Sequence, residues 1–98
     1  MKLVRDRIPE IILKDGRNPI YHVATPEEFK RELFRKVIEE LHEFQEDPCV
    51  EEAGDLLETV YALLDEHGHS LFDVLDACEQ KFALVGGFAK GIVLEKVE

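Results

Sequence analysis

The stretch that decides the fold is "TPEEFKRELFRKVIEELHEFQEDPCVEEAGDLLETVYALLDEHG", Thr25 to Gly68. It opens on a helix start signal, with Thr25 as N-cap, Pro26 at the first helical position and Glu28 where a capping box needs it. Phe29, Leu33, Val37, Leu41 and Phe44 then recur at helical spacing, and Phe34 and Ile38 widen that face. "DP" at 47–48 stops this helix and starts a second, with Asp47 as the expected N-cap. Ala53, Leu56, Leu57, Val60, Leu63 and Leu64 form one face of the second helix, and Gly68 closes it. So short a turn forces the two helices to run antiparallel, as an αα-hairpin.

Working outward, "SLFD" starts a third helix capped by Ser70, with Leu71, Val74, Leu75, Cys78, Phe82 and Val85 expected to face inward. The "GG" at 86–87 ends it. Upstream, "IPEIILKDG" (8–16) reads as a short helix closed by Gly16. "PIYHVA" (19–24) and "GIVLEKV" (91–97) have strand character and could pair as a short terminal β-hairpin. The fold class is therefore mainly α, an antiparallel helical bundle in one domain, residues 1–98. Amphipathic helices of this length in so small a chain leave apolar surface uncovered, which predicts completion by self-association.

The net charge of −10 argues against a protein that embraces a nucleic-acid backbone through its own cations. Nucleotides are a different matter, because divalent metals bridge carboxylates to phosphates. Cys49 and Cys78 have no CxxC spacing and read as thiols of a reducing compartment. No apolar run is long enough for a signal peptide or a membrane span, so a cytoplasmic location without a membrane partner is expected.

The chemistry is concentrated in "EELHEFQEDPCVEEAGD" (39–55), which holds eight carboxylates in seventeen residues and no Lys or Arg. At about 100° per residue, Glu40 falls inside the edge of the first helix's apolar face, with Glu43 just beyond it and Glu39 one step further out. On the second helix Glu52 sits at the margin of the apolar face and Asp55 one step outward. Glu51, Glu58 and Asp65 point to solvent. Two readings stay open at this level. The run is either a pair of solvated acidic faces, or a set of carboxylates that lose solvation, repel one another and need a compensating cation. An all-oxygen set of this kind suits Mg²⁺, which keeps waters for substrate phosphates.

Basic residues divide in the same way. Lys81 falls within the apolar face of the third helix, where it either snorkels to solvent or reaches a phosphate as a point charge. Lys2, Arg5 and Arg7 of "KLVRDR" either complement an acidic body or clamp phosphate. "HGH" (67–69) reads more simply as a helix end than as a metal site, and no Gly-rich phosphate loop or nucleophile arrangement is present.

"EELHE" (39–43) followed by "EAGD" (52–55) resembles the EExxE…ExxD signature of the MazG-like, all-α nucleoside triphosphate pyrophosphohydrolases. "KLVRDRIPEII" at the start and "GGF.KGIVLE" near the end are similar to a phosphoribosyl-ATP pyrophosphohydrolase-like subgroup of that superfamily, so the resemblance covers essentially the whole chain. It implies a helical bundle that assembles as a homodimer or homotetramer. It also implies Mg²⁺-dependent hydrolysis (Mn²⁺ as a substitute) between the α and β phosphates of a nucleoside triphosphate or related nucleotide, giving a monophosphate and pyrophosphate. Clearance of aberrant nucleotides is one setting for such an activity. By position, Glu40, Glu43, Glu52 and Asp55 would be the metal ligands, and Glu40 with Glu39 the catalytic carboxylates, Glu39 orienting or deprotonating water. Lys81, Arg5 and Lys2 would bind substrate. The chain departs from the pattern in its short link, "FQEDPCVE", and in Val85, where relatives often carry a basic residue, so that a phosphate contact is either absent or made by Lys90 instead. Two alternatives accompany this expectation: hydrolysis of phosphoribosyl-ATP in histidine biosynthesis, and a non-catalytic acidic module that binds metal or a partner.

Overall fold

Thr25 does start the first long helix. Its hydroxyl oxygen accepts a hydrogen bond from the Glu28 backbone N–H at 3.2 Å, with Pro26 in the first helical turn. The other half of the capping box is not made, because the Glu28 carboxylate lies 2.9 Å from Nε2 of His22 instead. The computed structural model describes residues 1–98 and contains four helices: α1 (Ile8–Lys14), α2 (Pro26–Glu46), α3 (Val50–Glu66) and α4 (Leu71–Val85). The protein is all-helical, with no strands.

The link between α2 and α3 is residues 47–49. Asp47 closes α2 by donating its N–H to the Glu43 carbonyl, and Cys49, not Asp47, takes the N-cap position of α3. Asp47 is displaced from the expected role because its carbonyl is used in the turn, accepting the Cys49 N–H at 2.8 Å. Phe29 and Leu33, early in α2, line the same cleft as Thr59 and Ala62, late in α3. Glu40, late in α2, meets Glu52 and Asp55, early in α3. The hairpin is therefore antiparallel, and this pairing positions everything that follows.

The remaining elements add little packing. The Ser70 hydroxyl caps α4 by accepting the Asp73 N–H at 3.1 Å, and Gly86, at φ +79°, ends it in a backbone region that L-residues rarely adopt. α4 touches α3 only sparsely, and α1 packs against no other helix. The face of α4 expected to point inward is open: Leu75, Cys78, Phe82 and Val85 are exposed, because no element of the chain lies over them. The expected β-hairpin is also absent. Residues 19–24 and 91–97 make no ladder bonds to each other, and Ile20, Val23, Ile92 and Val93 are exposed. A lone two-stranded ribbon with nothing to cover its apolar face is marginal in water, and His22 instead ties its segment to the start of α2.

Leu33, 2 % exposed, is the one buried apolar residue. The radius of gyration is 17.9 Å, against about 13 Å for a compact chain of this length. Phe34, Ile38 and Leu41 on α2, Leu57 and Tyr61 on α3, and Phe72 and Phe82 on α4 all remain exposed. No helix is long and apolar enough to cross a membrane.

Candidate functional site

Two turns after Leu33 on the same face of α2 comes Glu40, the only charged residue in the buried class, at 9 % exposure. Its burial follows from its place inside the apolar edge, opposite α3. Glu52 and Asp55 sit one helical turn apart on α3 and so share a face, which the antiparallel pairing turns toward Glu40. One carboxylate oxygen from each of Glu40, Glu52 and Asp55 lies within 4.8 Å of the others. Glu39 borders this group, half-buried, whereas Glu43 is exposed and outside it. Glu51, Glu58 and Asp65 are exposed, as the helical phase predicts.

Three carboxylates so close together raise the cost of ionising the last of them. The Glu52 carboxyl is held above the usual carboxylate range, first by loss of solvation and then by the negative charges of Asp55, Glu43, Glu40 and Asp47. The group is short of positive charge.

What positive charge it has comes from the chain itself. Lys36, only 19 % exposed along its side chain, places Nζ 3.3 Å from Glu39 and 3.4 Å from Glu40. Arg5 reaches in from the N-terminal segment, donating from Nη2 to Asp55 at 2.7 Å and from Nη1 to Glu58 at 2.9 Å. Lys2 lies 3.9 Å from Glu39. Two members of the predicted phosphate-binding set, Arg5 and Lys2, are thus at the cluster. Lys81 is exposed on α4, makes no ion pair and does not line the cleft, and Lys90 is exposed in the C-terminal segment. Arg7 turns away to Glu10 at 3.5 Å.

Lys36 is not singled out in the sequence, and Glu58 is read there only as a solvent-facing carboxylate, not as a partner for Arg5. Lys36 was findable, since it stands three and four residues before Glu39 and Glu40, the spacings at which helical side chains meet. Glu58 was not, because its partner lies 53 residues away in sequence.

A cleft of about 300 Å³ opens beside the cluster. Its lining combines apolar Leu3, Val4, Phe29, Leu33 and Ala62 with charged Arg5, Lys36, Glu40, Asp55 and Glu58. Thr59 is fixed by donating its hydroxyl to the Asp55 carbonyl at 2.7 Å. "HGH" belongs to a helix end: Nδ1 of His67 donates to the Leu63 carbonyl at 2.8 Å, and its ring meets Phe34 edge-on at 5.6 Å.

No protein-family model matches the chain, and no curated protein or solved structure matches it significantly. The cluster's donor set fits a hard divalent cation in one respect: all three closest donors are carboxylate oxygens, although Asp55 and Glu40 also have Arg5 and Lys36 as partners. Carboxylates from two helices joined by a short link are also held at fixed separation, as a metal site requires.

Proposed function

We propose that the protein is a Mg²⁺-dependent nucleotide pyrophosphohydrolase that cleaves between the α and β phosphates of a nucleoside triphosphate. The observation that carries this reading is the convergence of Glu40, Glu52 and Asp55 from both arms of the hairpin, beside a cleft that Glu40 and Asp55 help to line. The resemblance of "EELHE" and "EAGD" to the MazG-like signature names the reaction; the geometry supports it by bringing together three of the four predicted ligands. Glu40, Glu52 and Asp55 would hold the metal, with Glu43 completing the set from the rim. A divalent cation bound there would neutralise phosphate oxygens and make a bound water more acidic.

The rest is the work of this chain's residues. Glu39, half-buried next to Glu40 in sequence, would accept a proton from water and aim its oxygen at the α phosphorus. The water oxygen forms the new bond to phosphorus as the α–β bridging bond breaks, and the electron pair leaves with pyrophosphate. Lys36 holds Glu39 and Glu40 in place. Arg5 and Lys2, both largely exposed, are the cations within reach of a polyphosphate; Lys81 would need to arrive from outside this chain.

A second copy of the chain is the natural cover for the exposed faces of α2, α3 and α4. A monomer with one buried apolar residue leaves most of its hydrophobic stabilisation unmade. Self-association accordingly forms part of the proposal, and dilution should lower the thermal stability.

One observation favours a different reading. Asp55 and Glu40 already have Arg5 and Lys36 as partners, and a non-catalytic acidic module would need nothing more. Incubation with Mg²⁺ and a panel of ordinary and modified nucleoside triphosphates plus phosphoribosyl-ATP separates the two. The enzyme yields a monophosphate and pyrophosphate from at least one of them, and the preferred member names the substrate. A folded protein that leaves every member intact is the binding module.

A further inference from the structure

The N-terminal segment before α1 has no helical structure of its own, yet it lies along the cleft, contributing Leu3, Val4, Arg5 and Asp6 to its wall. Its attachment is through charge. The Arg5 guanidinium spans two carboxylates, Asp55 at 2.7 Å and Glu58 at 2.9 Å, and Lys2 stands 3.9 Å from Glu39. Asp55 belongs to the cluster that the proposed function assigns to the metal, while Glu58 does not. Arg5 therefore holds one of the two carboxylate oxygens of a residue that would ligate the metal, and has a second anchor in Glu58.

The geometry points to a strap: residues 2–6 close over the cluster when it is empty of metal, with Arg5 as the latch, and a divalent cation displaces Arg5 from Asp55. This rests on the metal reading of the cluster and adds regulation to it. The latch is built to be displaced. The Arg5 side chain is 56 % exposed and that of Asp55 43 %, and pairs this wet are individually weak and screened by salt. An arginine at a buried pair could not be exchanged so easily. Release frees the Nη2 donation now made to Asp55, while the guanidinium stays forked on Glu58 at 2.9 and 3.3 Å, so that a phosphate oxygen can take the vacated donor at the cleft mouth. The same residue thus protects the acidic cluster in the metal-free protein and becomes available for substrate only once the cation has arrived.

The test uses Mn²⁺ alone, with free ion counted by electron paramagnetic resonance, on the wild-type protein and the variants R5Q, R7Q and D55N. Arg7 lies on the same segment but pairs with Glu10, so R7Q makes the same charge change without touching the latch. The strap predicts that R5Q binds Mn²⁺ more tightly than R7Q, by up to about fivefold, the limit set by an exposed ion pair. It also predicts that Mn²⁺ speeds phenylglyoxal modification of Arg5 in the wild-type protein relative to Arg7, read by peptide mass spectrometry. If Mn²⁺ binds in a manner that D55N abolishes, but R5Q equals R7Q or Arg5 reactivity does not change, the strap is wrong and the metal site stands. If Mn²⁺ binds to none of the proteins, the metal reading falls and the strap falls with it.

Discussion

Replacing Leu33 by alanine probes the most buried apolar side chain of the hairpin that carries the site. Leu33 is 2 % exposed, so nearly its whole side chain is removed from water on folding. Leu-to-Ala changes at such positions cost about 2–5 kcal/mol, depending on how far the surroundings collapse. Phe29 and Ala62, which line the same cleft, are only half-buried and have room to move. That places the expected cost at the low end, about 2–3 kcal/mol. At roughly 4–8 °C per kcal/mol for a domain of this size, the melting temperature should fall by roughly 8–24 °C. Urea and thermal melts followed by circular dichroism at 222 nm would measure it, at two protein concentrations well apart to separate folding from self-association. Leu57→Ala, at a position 58 % exposed, is the control and should change stability by less than about 0.5 kcal/mol at the lower concentration. A loss below about 1 kcal/mol for Leu33→Ala at that concentration would refute the reasoning. The seam between α2 and α3 would then be held elsewhere, and the distances around Glu40 would not depend on it.

Two further outcomes follow from the carboxylates. Because the Glu52 carboxyl is held above its ordinary range, the metal-free folded state binds a proton there more tightly than the unfolded chain does. Its contribution to stability is present below the ordinary carboxylate range and is lost as pH rises through the raised value. Glu52→Gln should therefore melt higher than the wild-type protein at pH 7, with the difference closing below about pH 4; adding Mg²⁺ should narrow or reverse it by stabilising only the protein that binds the ion. For catalysis, Glu40→Gln should lower Mg²⁺-dependent pyrophosphate release by roughly 10²-fold or more, since several kcal/mol of charge stabilisation is at stake at about 1.36 kcal/mol per decade. The far-ultraviolet circular dichroism of that variant should match the wild-type protein.

The helices were legible because each has a local signal. Thr25, Pro26, Ser70, Gly68 and Gly86 mark ends through backbone and cap chemistry that involves only near neighbours. The phase of Glu40, Glu52 and Asp55 was legible for the same reason, as helical periodicity fixes which face a residue takes once its helix is known. What failed was everything that needs a partner far along the chain. Residues 19–24 and 91–97 have strand propensity, but propensity does not supply a neighbour to bond with. Phe82 and Leu75 have the spacing of an inward face, but nothing in the chain covers it. The acidic run looked uncompensated because Arg5 is 50 residues from Asp55, a separation that no local count of charge can bridge. Lys36 is the exception, a compensating cation within one turn of Glu39 and Glu40.

Crystals grown with Mn²⁺ and measured for its anomalous scattering show directly whether both arms of the hairpin hold one divalent cation. The expected result is a peak bonded to oxygens of Glu40, Glu52 and Asp55 together, with Arg5 no longer on Asp55. A peak confined to rim carboxylates such as Glu43 or Glu51, or none where a Mn²⁺ titration of the same protein saturates, would contradict it.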